Sequence, residues 1–341
     1  MLRRFFLLLL LVGLAAVATV VYVAMTPYGP SSPRIVTIAA GTPATGIARQ
    51  LEREGIIRSR WVFLGLYTVR GGSLQAGAYR FQRPLSMNRV WWKLSHGDVY
   101  TISVTIPEGS NIFDVGERLQ SVGLVSKEEF VAAAKQDTAL IKNIDSRDPS
   151  VEGYLFPDTY KFQPNSTPEA IMSTMVRQFR EEAAKIGLTS HIHRIVTLAS
   201  LIEKETPLES ERPLVASVFV NRLAKGMPLM TDPSVIYAAL LQGRYRGAIY
   251  QSDLESDSAY NTYRHTGLPP GPICNPGVKS LEAAMHPAQT DYLYFVAASA
   301  NPSGKSRFSA TLEEHARDVE EYRRAERKAE EKAAGVKASH R

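Results

Sequence analysis

The spacing of apolar positions changes several times along the chain. From Phe5 to Met25 the run is continuous: 21 residues without a charge, which span about 32 Å as a helix, close to the hydrocarbon thickness of a bilayer. Arg3 and Arg4 precede the run, and Tyr22 and Tyr28 suit its outer interface. The positive-inside rule then puts the N-terminus in the cytoplasm and the rest of the chain outside. A cleaved signal peptide would have a shorter apolar stretch and a small-x-small site; Thr26-Pro27 follows here instead, which favours an uncleaved anchor. No later stretch is apolar enough to span.

Residues 26–34 are rich in Pro, Ser and Gly and read as a linker. An internal repeat comes next. Val36-Thr37-Ile38-x-x-Gly41 returns as Val104-Thr105-Ile106-x-x-Gly109, and Leu51…Gly55-Ile56-Ile57 returns as Leu119…Gly123-Leu124-Val125 at the same offset. Each copy reads strand, turn, amphipathic helix and glycine stop, with Ile47, Ala48 and Leu51 on one helix and Ile112, Val115 and Leu119 on the other. A second helix follows each, near Trp61–Val69 and Glu128–Lys135. Between the copies, Ala76–Phe81 reads as a strand and Met87–Ser95 as a short helix. Trp91 and Trp92 are adjacent on that helix, so they point apart; an exposed one could stack on a sugar ring.

A Pro/Asp-rich boundary is expected at Ser146–Ser150, then longer helices with polar turns, and a charged tail from about 323 to 341. The formal charge of +6 fits an anionic partner without choosing one, and no cluster of Lys/Arg interleaved with aromatics points to nucleic acid. The single cysteine, Cys274, excludes an intramolecular disulfide framework and a multi-cysteine zinc site. His191 and His193 have strand-type spacing but no third ligand beside them, so they read as surface histidines and no metal or cofactor is implied. No P-loop, G-x-S-x-G elbow or H-E-x-x-H occurs.

The chemistry concentrates around Ile195, Leu198, Ala199 and Ile202, which fall on one face of a helix that Pro207 stops. Glu203 stands at the border of that face, where partial desolvation raises a carboxyl pKa and suits it to donate a proton near neutrality. Glu205, two positions on, points elsewhere. Thr231-Asp232-Pro233 reads as a cap and proline start of another helix, and the loops around Tyr260-Asn261-Thr262-Tyr263, Gly267–Pro272 and Asn275-Pro276-Gly277 could line a saccharide groove.

Ala199-Ser200-Leu201-Ile202-Glu203-Lys204-Glu205-Thr206 resembles the catalytic motif of the endolytic murein transglycosylases (MltG/YceG-like). So do Val215–Leu223, Thr231–Tyr237, Tyr260–Tyr263 with Gly267–Ile273, His286-Pro287-Ala288 with Tyr292–Val296, and Glu152–Tyr160, in the family's order. The resemblance covers nearly everything after the anchor except the charged tail. It implies an α+β chain: a single N-terminal transmembrane helix (5–25, after a cytoplasmic stub, 1–4), a LysM-like repeat region (35–145) and a mixed, helix-rich catalytic domain (151–322). It also implies that Glu203 is the catalytic glutamate.

The implied activity is non-hydrolytic cleavage of the MurNAc–GlcNAc β-1,4 bond within nascent peptidoglycan strands. Glu203 would protonate the glycosidic oxygen, then as carboxylate take the proton of the MurNAc C6 hydroxyl as that oxygen attacks C1, leaving a 1,6-anhydro end. Asn261, Tyr263 and Tyr237 are candidates to support the developing positive charge, and Asp232 and Glu205 to contact substrate. The expected partners are glycan strands, the cytoplasmic membrane and penicillin-binding synthases. Two alternatives stay open. A muramidase-type hydrolase needs a second carboxylate, for which Asp232, Glu205 and Asp158 are the candidates. A non-enzymatic peptidoglycan-binding scaffold needs none.

Overall fold

The computed structural model describes residues 2–299 and 304–339. The chain divides into two compact units: residues 1–103 with 161–166, and residues 104–160 with 167–341.

The smaller unit begins with α1 (Leu2–Met25), exposed from Arg3 to Tyr22 and partly covered near its C-terminal end. β1 (Arg34–Ile38), α2 (Ala44–Arg53), α3 (Arg60–Arg70) and β2 (Gly77–Phe81) form a strand–helix–helix–strand module, and α4 (Met87–Ser95) follows. β1 and β2 pair antiparallel, with Val36 opposite Tyr79 and Ile38 opposite Gly77. The alternation of β1 sends Val36 and Ile38 inward. They meet Ile47, Ala48 and Leu51 of α2, Phe63 of α3 and Val90 and Leu94 of α4 in one core, against which Val23 of α1 also packs. Trp92 is 43% exposed and stacks on His96 at 4.5 Å, while Trp91 is half-buried, the divergence that adjacent helical positions require.

The larger unit repeats the opening of that plan. β3 (Ile102–Thr105) leads to α5 (Ile112–Ser121) and α6 (Lys127–Gln136), and β4 (Thr159–Phe162) is the hydrogen-bonded neighbour of β3. Ile112, Val115 and Leu119 are buried on α5, as their counterparts are on α2. Both helices stop at a glycine in the left-handed region, Gly55 at φ 66° and Gly123 at φ 74°, a conformation that side chains disfavour. The stretch Ser146–Ser150, expected as a boundary from its composition, lies inside this unit with Asp145, Asp148 and Ser150 buried.

The rest is helical: α7 (Pro168–Lys185), α8 (Ile192–Glu205), α9 (Arg212–Ala224), α10 (Asp232–Leu241), α11 (Gln251–Leu254) and α12 (Val278–Met285). The antiparallel pair β5 (Tyr294–Ala297) and β6 (Ser306–Ser309) follows, and then α13 (Leu312–Ser339). The expected charged tail forms the later turns of α13, and its last two residues lie outside those described. α8 is central. The pattern predicts one apolar face, yet every residue from Val196 to Ile202 is buried, because α9 and α12 pack on it and the loop before α12 runs along it. Ile273 N–H donates to Ser200 Oγ at 3.1 Å, and the Cys274 thiol, fully buried, lies 3.3 Å from the Ser200 carbonyl.

Phe63, fully buried in the core of the smaller unit, tests that module: Phe63→Ala should cost about 3–5 kcal/mol, read as a lower denaturant midpoint for the unfolding of this unit with the far-UV spectrum of the native protein retained.

Candidate functional site

α8 brings two glutamates to its C-terminal end, where Thr206 turns to an extended conformation and Pro207 ends the helix. At about 100° per residue, side chains two positions apart leave a helix in nearly opposite directions, and the two glutamates meet different surroundings.

Glu203 turns inward; its side chain is 6% exposed. Arg212, at the start of α9, donates to Oε1 at 2.9 Å, and the backbone N–H of Gly277 donates to Oε2 at 3.0 Å. Both partners are obligatory donors, so each oxygen of Glu203 is already engaged. Glu108 approaches the same guanidinium at 3.6 Å. Burial and the neighbouring charge of Glu203 push the Glu108 carboxyl up, against the pull of Arg212. A Cβ at Gly277 would overlap the Glu108 carboxylate as placed, so a larger residue there would displace that side chain.

That loop is held from below by a buried carboxyl. Glu152 accepts from Ile112 N–H at 2.9 Å and from the Asn275 amide at 3.1 Å, and burial pushes it up to about 8. Asn275 also donates to the Ser110 carbonyl at 2.7 Å and accepts from Leu155 N–H at 2.9 Å. The Glu152–Tyr160 signature is thus scaffolding at its first residue.

Glu205 faces a cleft of about 490 Å³ lined also by Arg222, Met230, Asp232, Tyr263, Tyr294 and His315. Burial, and then the charge of Asp232, push Glu205 up to about 7, with Arg222 opposing. The Tyr263 hydroxyl donates to Asp232 Oδ1 at 2.6 Å. Arg222 is fixed by bonds to the Leu293 and Leu229 carbonyls, both 2.7 Å. Tyr294 stacks on His315 of α13 at 5.1 Å. Met230 is half-exposed at the cleft with φ 54°, a strained backbone for a non-glycine residue, and such strain gathers at functional sites.

The sequence candidates therefore separate. Glu205, Asp232 and Tyr263 come together in the cleft. Asn261 does not join them: it is fully buried and its amide is spent on the Leu254 and Ser256 carbonyls at 2.9 and 2.7 Å and on Tyr263 N–H at 3.1 Å, which shapes the loop. Tyr237 is 2% exposed, packed edge-on to Tyr260 and Phe113 beside Glu152. Asp158 is exposed and accepts from its neighbour Thr159 N–H; it does not line the cleft. Glu108, Arg212, Arg222 and His315 were not singled out from sequence. Only Glu108 had a signal: the repeat puts a carboxylate where the first copy has Ala40.

His193 is a further correction. It is not a surface histidine: its Nδ1 lies 2.5 Å from Asp145 and 3.7 Å from Asp148, both buried. Tyr154 also donates to Asp145, at 2.6 Å. These hydrogen bonds hold Asp145 below the usual carboxylate range despite its burial, while burial pushes Asp148 up to about 8. The ligand atoms of Asp145, Asp148 and His193 lie within 4.8 Å of one another, close enough to hold a cation. The bonds already spent on Asp145 make a hydrogen-bonded ion pair the simpler account. His191 is exposed, at the helix start in a left-handed conformation.

Residues 36–321 match the profile of the YceG-like family. The chain belongs to that family. Among relatives, it is 36% identical over 311 residues to a Bacillus subtilis (strain 168) protein named endolytic murein transglycosylase, covering 84% of each. It is 28% identical over 336 residues to a protein of the same name from Streptococcus pneumoniae D39, covering 87% of this chain but 60% of that longer one. A crystal structure of a YceG-like protein from Listeria monocytogenes superposes with a TM-score of 0.55 at 32% identity, over 84% of this chain and 99% of that one. For this YceG-like chain, the two-glutamate end of α8 lies within the matched region.

Removing the guanidinium that Glu203 depends on should show its structural weight. Arg212→Ala leaves a buried carboxylate unpaired and should cost about 3–5 kcal/mol, while Arg212→Ala with Glu203→Gln should recover part of that loss in a double-mutant cycle of chemical denaturation.

Proposed function

We propose that this chain is an endolytic murein transglycosylase anchored in the cytoplasmic membrane by α1, and that Glu205 rather than Glu203 is its acid and base. The activity rests on family membership and on relatives that carry that name over most of this chain. The role of Glu205 rests on one observation: it is the α8 glutamate that meets the cleft, with its carboxyl pushed up to about 7. A general acid works best with a pKa near the operating pH. Glu203 has a guanidinium and an amide N–H on its two oxygens, which suits a structural anchor.

In this reading a glycan strand lies in the cleft and Glu205 protonates the glycosidic oxygen between MurNAc and GlcNAc as that bond breaks. The resulting carboxylate accepts the proton of the MurNAc C6 hydroxyl while that oxygen bonds to C1, closing the 1,6-anhydro ring and restoring the acid. Asp232, held by Tyr263, places negative charge near the oxocarbenium ion and keeps Glu205 protonated. Arg222, pinned by two carbonyls, fixes the wall beside it. The topology is N-terminus in the cytoplasm, supported by Arg3 and Arg4. The first strand–helix–helix motif acts as a LysM-like glycan-binding module, its second copy supports a catalytic region at 151–322, and penicillin-binding synthases supply nascent strands.

A second reading keeps its claim through a specific observation. Glu205 and Asp232 share one cleft, and a retaining or inverting hydrolase uses two carboxylates.

The deciding experiment is mass spectrometry of products from purified glycan strands with the detergent-solubilised full chain, its Glu205→Gln variant and its Glu203→Gln variant. Internal fragments with 1,6-anhydroMurNAc ends, reduced about 10²–10⁴-fold by Glu205→Gln but only modestly by Glu203→Gln, are expected. Reducing ends would mean a hydrolase, and a loss confined to Glu203→Gln in a folded protein would return the acid role to that residue. Because the proton of Glu205 is present below about 7, cleavage should decline as pH rises through that value, measured as kcat/KM against pH.

A further inference from the structure

The smaller unit carries a cleft of about 610 Å³ that the cleavage chemistry does not use. Four cations line it: Arg80 from β2, Arg83 from the turn after it, and Arg89 and Lys93 from α4. One acid, Asp98, answers them, and it is taken by Lys93 at 2.6 Å. Among the described residues no carboxylate pairs with Arg80, Arg83 or Arg89; Arg80 lies over the Tyr100 ring at 5.1 Å. Three guanidiniums left without counter-charge around one depression cost electrostatic energy unless an anion neutralises them. Guanidinium is also the side chain best matched to phosphate oxygens. A neutral sugar would not call for this charge.

The place of the cleft says which phosphate. Tyr28, three residues past the end of α1, exchanges two backbone hydrogen bonds with Leu85, both 3.0 Å, and Leu85 lines the cleft. Arg58 covers the rings of Tyr22 and Tyr28 at 5.4 and 5.1 Å. Val23 of α1 packs into the core to which α4 contributes Val90 and Leu94. A cleft tied in this way to the end of an apolar, membrane-length helix sits at headgroup depth when that helix is in a bilayer. Trp92, on the cleft wall and partly exposed, is a side chain suited to that depth.

We infer that the Arg80–Arg83–Arg89 cleft binds the phosphate of a membrane lipid headgroup and so fixes the height and tilt of this unit on the membrane. The shared chemistry is a lipid-borne phosphate, which could come from an anionic phospholipid or from a polyprenyl diphosphate. The inference rests on α1 being a membrane anchor and is independent of the cleavage reading.

The test is native mass spectrometry of the full chain released from a non-ionic detergent, titrated separately with phosphatidylglycerol, farnesyl diphosphate and phosphatidylcholine. Retention of either anionic probe well above phosphatidylcholine is expected. At about 1 kcal/mol for each basic residue near an anionic lipid surface, Arg83→Ala with Arg89→Ala should weaken that retention by about thirtyfold. The double lysine variant should keep most of it, and circular dichroism melting controls for folding. Loss of both anionic probes in the alanine variant supports a site for bulk anionic lipid; loss of farnesyl diphosphate alone supports a site for the lipid diphosphate. Equal retention of phosphatidylcholine, or an alanine variant that binds like the parent, overturns the inference. Carbonate extraction of membranes tests the anchor separately: release of the chain would defeat the anchor reading without altering the detergent titration.

Discussion

A carboxylate buried at the end of the central helix has to be answered by a cation and a donor, and the architecture of the larger unit follows from how that is done. Glu203 draws the first turn of α9 to it through Arg212 and the start of α12 through the Gly277 amide. Leaving such a group unpaired costs several kcal/mol, of the same order as the stability of a whole domain. The requirement also orients α8 about its axis. With Glu203 facing Arg212 and Gly277, Glu205 faces the other side of the helix, where it lines a cleft with residues of α10, β5 and α13.

The same economy of contacts operates beneath it. Glu152 is wholly buried, and its oxygens bind the first turn of α5 and Asn275. It therefore locks the second copy of the internal repeat to the loop that reaches Glu203. The repeat that resembles a binding appendage in its first copy has, in its second, become part of the floor under α8. Glu108, at the position of the first copy's alanine, puts a second acid beside Arg212.

What could be read from the sequence was what local spacing determines. The apolar first helix, the offset repeat, the helix stops at Gly55 and Gly123, and the strand–helix–helix order need only neighbours within a few turns. The family resemblance was equally legible, because its motifs are contiguous. The different surroundings of Glu203 and Glu205 were not. They depend on Arg212, Gly277, Arg222 and Asp232, partners that meet only after the chain has folded, and both glutamates sit in the same eight-residue motif. The placement of Asn261 and Tyr237 was illegible for a related reason: polar and aromatic residues in a loop-rich region can face a ligand or organise the loop. Here three backbone carbonyls near Asn261 and the buried Glu152 near Tyr237 claimed them. His193 shows the reverse, since a histidine with no ligand nearby in sequence found Asp145 and Asp148 nearly fifty residues away.

Two carboxylates on one helix, two residues apart, illustrate how environment rather than residue type divides chemical labour. One is saturated with donors. The other is desolvated by burial and, to a lesser degree, shares its cleft with a second negative charge, and its proton is held more tightly as a result. This gives Asp232 a function in either version of the proposed chemistry. In an intramolecular attack by the substrate's own hydroxyl, no second nucleophile is needed, and an acid that recovers its proton in the closing step can begin the next turnover unchanged. Asp232 then acts through its field alone. The hydrogen bond from Tyr263 to Asp232 Oδ1 fits that part better than attack on carbon, because a carboxylate tied to a phenol is a weaker nucleophile with less freedom to approach. The geometry of the cleft thus leans towards one working carboxylate and one that conditions it.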